Sequence, residues 1–155
     1  MGSQKIKQLL LNLEEQIENH EVINPKISRA TIGWQIDHSL KVINSVVKTL
    51  QSSDPTLYKN NFSFLGKFFF ALGFFPRGKA KAPKYVKPPE TILLEDLITQ
   101  LQHAKSNLVT IESLDENAFF KHPLFGNINT KRVHRFLELH TNHHLKIIKD
   151  IIKNK

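Results

Sequence analysis

At 155 residues the chain has room for one domain with a proper core and is too short for two comfortable ones. Its composition, 40% hydrophobic and 23% charged without repeats or low-complexity tracts, is that of an ordinary globular protein. Cysteine is absent, which excludes disulfide staples and thiolate metal ligands, while a formal charge of +8 admits an anionic partner without naming one.

The first residues show no apolar stretch followed by a small-residue cleavage site, so no signal peptide and a cytoplasmic location are expected. Leu9, Leu10, Leu13 and Ile17 recur at helical spacing and predict a first helix from Ile6 to His20. Asn24-Pro25 makes a turn. Ser28 is the expected N-cap of a second helix running to about Gln51, which Ser52-Ser53-Asp54-Pro55 ends.

Residues 55–89 form an insertion. Its first half, "FSFLGKFFFALGFF", is almost wholly apolar but shorter than the about 20 residues of a membrane span, and Lys67 interrupts it. A short extra helix, packed on its neighbours or into a homodimer contact, is the expected use. A helix lying on an anionic membrane surface is the alternative. The second half, "PRGKAKAPKYVKPP", is proline-rich and basic and reads as a surface loop. Arg77, Lys79 and Lys81 in this loop are the candidate anion contacts. No recognised nucleic-acid motif accompanies the charge, so neither nucleic acid nor membrane is the expected partner.

A third helix is expected from Pro89 to Ser113, with Leu94, Leu97, Leu101, Leu108 and Ile111 as its stripe. The fourth starts at Asn129 or Thr130 and runs almost to the end, with lysines in its last turns as the helix dipole favours. No stretch alternates convincingly as a strand. The chain therefore reads as all-α, most simply a single four-helix bundle with a helical and loop insertion between helices two and three.

The fourth helix carries "LELHTNHHLKII", three histidines within five positions of an apolar run. Projected at about 100° per residue with His140 at zero, Val133, Phe136, Ile147 and Ile151 fall within roughly 40° of it. His144 falls at about 40°, inside the same sector, whereas His143 lies at its edge and His134 on the outer flank. An i, i+4 histidine pair on one face can chelate a single ion. The alternative is a pair of core histidines satisfied by hydrogen bonds. An imidazole that finds no partner in an apolar seam costs about 1–3 kcal/mol, which a shared cation would relieve.

A third ligand must be histidine or carboxylate. The second helix, "GWQIDHSLKVI", offers His38, roughly 150° from the main apolar face and on a narrower stripe with Trp34, Val42 and Ser45. Asp37 lies toward Lys41 and Lys48, which suits solvent. His20 ends the first helix, His103 lies opposite the Leu101 stripe, and His122 opens the loop "HPLFGNIN" as a structural or pocket-lining residue.

"WQIDHSL" on a second helix, "HPLFG" before a fourth and "LHTNHHLKII" on it resemble the DinB-like (YfiT-like) superfamily of metal-binding four-helix bundles. Within it the chain is similar to a branch with a His-Pro-x-Phe-Gly loop and a His-x-x-His-His cluster, and the resemblance spans nearly the whole length. It implies a divalent ion held by His38, His140 and His144; Trp34, His143 and His122 are the candidate pocket-lining residues. Open coordination positions would take water or a small-molecule substrate, in a transferase or hydrolase. Some members are thiol transferases with a Gly-Gln element after the last histidine; Lys146-Ile147 stands there in this chain. His143 is the nearest candidate for a catalytic base. Zinc or nickel is the first expectation for three imidazoles, with iron, copper and manganese open. A metal-stabilised bundle without catalysis is the second reading, and a basic membrane- or nucleic-acid-binding module the third.

Overall fold

The computed structural model describes residues 2–78 and 81–154. Five helices carry most of the chain, and a small antiparallel hairpin interrupts them. Among the described residues the expectation of an all-α chain thus holds in the main, the exceptions being the hairpin and an isolated β-bridge between Asn24 and Ser28.

Helix α1 spans Gly2–Glu14 and buries Ile6, Leu10 and Leu13. It stops six residues before the expected His20 because the backbone tightens into a 3₁₀ turn at Ile17–Asn19, with Gln16 N–H donating to Leu13 and Asn19 N–H to Gln16. The connection is then stitched to α2, Ile32–Ser52, by bonds from Ile32 N–H to Val22 and from Gly33 N–H to His20. A Cβ on Gly33 would stand 2.8 Å from the His20 carbonyl oxygen, so glycine permits this close approach. Thr31, not Ser28, caps α2: its hydroxyl accepts from Trp34 N–H at 3.0 Å. Ser28 is instead turned to Ala30 N–H and to the Gln35 side chain.

In the insertion, α3 spans Phe64–Leu72, capped by Ser63 and closed by Gly73 at φ +84°. Helix α4, Leu94–Ile111, begins later than its first proline suggested, with Glu95 and Asp96 in the turn where the dipole favours acids. Strands β1, Phe119–His122, and β2, Gly126–Asn129, pair in antiparallel register from Phe119↔Asn129 to His122↔Gly126. The final helix α5 is Thr130–Lys153, and its core-facing stripe of Val133, Phe136, Leu137, Ile147 and Ile151 is buried as the periodicity predicts.

Helix α2 is central. It packs against α4 on one side and α5 on the other, while α1 closes on α5 and α4. Thirteen of its 21 residues are buried, so its apolar face alone does not define its environment. Asp37, expected in solvent, is 1% exposed. Between α2 and α4 it pairs with Lys41 and accepts from Gln100 Nε2 at 2.8 Å, which compensates the buried charge. Helix α3 packs on α5, and Phe62, Phe70, Phe75, Phe125 and Phe136 form a connected aromatic cluster from the insertion through the hairpin turn to α5. Among the described residues, no helix is long and apolar enough to cross a membrane.

Candidate metal centre

The second flank of α2 faces α5, and there the three histidines meet. One ring nitrogen each from His38, His140 and His144 lies within 4.8 Å of the others. Ring centroids stand 5.1 Å apart for His38–His140 and 4.8 Å for both His38–His144 and His140–His144. His38 and His144 are buried and His140 is half-buried. Nitrogens bound at about 2.1 Å to one tetrahedral ion lie roughly 3.4 Å apart, so small ring movements bring the trio to ligand spacing.

The hydrogen bonds around the rings select a tautomer. His38 Nδ1 donates to the Val86 carbonyl at 2.9 Å. His144 Nδ1 donates to Gln35 Oε1 at 2.6 Å, and Gln35 Nε2 donates onward to the Ser28 hydroxyl, which orients the amide. With Nδ1–H engaged, Nε2 carries the free lone pair in both rings, the arrangement that outer hydrogen bonds impose on ligating imidazoles. The His140 Nδ1 atom is buried without a hydrogen-bond partner.

Burial holds all three rings in the neutral, ligating form. The proton affinity of His140 is pushed well down by desolvation first and then by His38, and that of His144 by desolvation and then by His140. His38 is lowered by desolvation, opposed by its bond to Val86 and by Asp37. Three converging imidazoles, two of them held through Nδ1 with Nε2 left free, match the donor set that a borderline divalent cation takes.

The remaining candidates surround this trio. Trp34 stacks on His38 with centroids 5.2 Å apart at 27°. His143 meets His144 edge-on at 4.9 Å, and its Nδ1 donates to the Phe75 carbonyl at 3.0 Å. His122 sits at the hairpin turn. Its Nδ1 accepts from Leu124 and Phe125 N–H, each at 3.1 Å, which fixes the hairpin turn. Its ring stacks on Phe125 at 4.2 Å and faces the same cavity, and desolvation lowers its pKa to about 4. Arg77 is paired with Asp150 at 2.7 Å, Lys81 is exposed beside the cavity, and Lys79 lies outside the described residues.

Gln35 and Val86 are contributors that sequence reasoning missed. Gln35 stands three positions before His38 in the same motif, and its 3% exposure makes it a buried polar side chain with a specific job. Val86 is 48 residues from His38 and acts through its carbonyl, which no side-chain pattern reveals. Above the trio opens a cavity of about 1200 Å³ bounded by α2, α3, α5, the hairpin and the basic loop.

A mostly helical protein with a buried three-histidine cluster able to hold one metal ion is the class that fold and site define. No family model, no curated protein and no solved structure matches the chain.

Proposed function

We propose that the protein is a divalent-metal-dependent four-helix bundle of the DinB-like type, with His38, His140 and His144 as the protein ligands and α1, α2, α4 and α5 as the bundle. The observation that carries this reading is the convergence of three imidazoles, two of them anchored through Nδ1, from positions on two helices about a hundred residues apart in sequence. Among the described residues the cluster has three members, and a large cavity adjoins it. Three protein ligands with an open approach are the signature of a site that takes substrate, whereas a closed four-ligand site would serve the fold alone. The reading is therefore a metal-dependent transferase or hydrolase acting on a small molecule.

When bound, the ion supplies Lewis acidity or a metal-stabilised anionic nucleophile. The chain's own residues do the rest. Gln35 and Val86 hold two ligand rings in one tautomer, and Trp34 covers one face of His38. His143, with Nδ1–H tied to Phe75, presents an unprotonated Nε2 and is the candidate base.

Elemental analysis of tag-free protein tests the assignment. Wild type is expected to retain about one equivalent of divalent metal, His140→Ala and His144→Ala none, His38→Ala a reduced amount and His134→Ala the full amount. Equal content in all four variants would discard it.

A further inference from the structure

The cavity is more selective than a bare metal site requires. Its volume of about 1200 Å³ lies above the usual range of small-molecule pockets. Val42 and Val46 from α2, Leu65 and Phe69 from α3, and Phe120 and Phe125 from the hairpin region make its walls apolar. Among the described residues no aspartate or glutamate lines it; its charged lining side chains are Lys81 and Lys121, both exposed. A divalent ion on three neutral imidazoles would keep most of its charge, since no described acid lines the cavity and the neighbouring Asp37 is already paired with Lys41.

The apolar space is held open by built contacts. Ser63 N–H donates to the Phe125 carbonyl at 2.8 Å and Ser63 Oγ to the Leu124 carbonyl at 3.0 Å, which ties the start of α3 to the hairpin turn. Phe62 packs at a tilt against Phe70 with centroids 4.9 Å apart, and Phe75 against Phe125 at 5.7 Å. Gly66 lies so close to Phe62 that a Cβ there would approach the ring to 2.7 Å. The walls are thus pre-organised, so a ligand need not order them on binding.

From a largely apolar cavity lined by no described acid, with a lysine rim and a three-histidine floor that a bound divalent ion would make cationic, we infer that the occupant is an apolar anion of the carboxylate type. Its carboxylate seats on the metal and its hydrocarbon body lies between α2 and the α3–hairpin cap. The inference rests on the metal assignment of the previous subsection. A cation finds no carboxylate in this lining, a polyol would leave its apolar walls unmatched, and a small anion such as acetate leaves most of those walls unused.

Trp34 is the chain's one tryptophan and stacks on His38 in the cavity, so its fluorescence reports occupancy. Zinc-loaded full-length protein is titrated with acetate, hexanoate, decanoate and decyltrimethylammonium, with zinc content measured on the same samples. Affinity is expected to rise roughly three- to fourfold per methylene, hence about 80- to 250-fold from hexanoate to decanoate. The cationic amphiphile should bind at least tenfold more weakly than decanoate. Exchanging both exposed lysines, Lys81→Glu with Lys121→Glu, should weaken decanoate several-fold and leave zinc unchanged. Affinity independent of chain length, or equal affinity for the cation, with zinc still held, overturns the ligand class alone. Protein that retains no zinc overturns the metal assignment, and the seat proposed for the carboxylate falls with it.

Discussion

Gln35 Oε1 accepts a hydrogen bond from His144 Nδ1 at 2.6 Å, joining a buried amide of α2 to a ligand candidate on α5. The contact fixes both the tautomer and the orientation of the ring, because the same amide is held from behind by Ser28. Gln35→Leu keeps the side chain's bulk and deletes the acceptor. Zinc affinity, measured by competition with a chelator, is expected to fall by about 10–100-fold. Unchanged affinity would show that His144 needs no outer partner.

Metal removal should be visible as lost stability. An ion that binds only the folded chain stabilises it by about 2.7 kcal/mol at a hundredfold excess over its Kd. For a chain of this length that is about 5–10 °C in Tm. Chelator should abolish the increment in wild type and have no effect on His140→Ala. A melting temperature indifferent to zinc in wild type would argue against ligation by the folded protein.

Much of this site was legible because α5 is strongly amphipathic. The helical angle alone placed His140 and His144 on the stripe that the structure buries beside Phe136 and Ile147. His38 was not legible in that way: it points off the main face of α2, and only the family resemblance paired it with α5. The structure gives the reason, since α2 is covered on two flanks and its second stripe faces α5. The same double coverage buries Asp37, whose neighbouring lysines suggested solvent. The hairpin escaped notice because each strand has only four residues, too few for alternation to register, and its pairing is set by the turn. Val86 contributes a backbone oxygen from a distant loop, and sequence patterns carry no trace of such contacts.

The histidines also predict an acid-sensitive metal-free protein. Desolvation lowers the folded-state pKa of His38, His140 and His144, and that of His122 to about 4. The unfolded chain holds these protons up to about pH 6.5. Below that value the unfolded state therefore binds more protons than the folded one, and stability falls as the solution is acidified. Above about pH 7 both states are deprotonated and the contribution is flat. Melts of the chelated protein should show Tm dropping between pH 6.5 and 5, before most carboxylates titrate. A flat profile across that window would mean that the folded rings accept protons freely.

Gly126 gives a test of the hairpin that supports the cavity wall. Its φ is +79°, and a Cβ there would lie 2.5 Å from the Asn61 carbonyl oxygen and 2.8 Å from Asn61 Oδ1. That amide oxygen accepts from Asn127 N–H at 2.7 Å, so Asn61 cannot withdraw without releasing the strand. Gly78 has a similar φ of +69° but nothing within 4 Å of its would-be Cβ. Alanine at Gly78 should therefore cost only the left-handed strain, about 1 kcal/mol. Gly126→Ala carries the same strain plus a collision with backbone and should cost at least about 2 kcal/mol more. Thermal melts of the two variants separate these terms, and equal losses would show that the close approach of Asn61 to the turn is not what demands glycine.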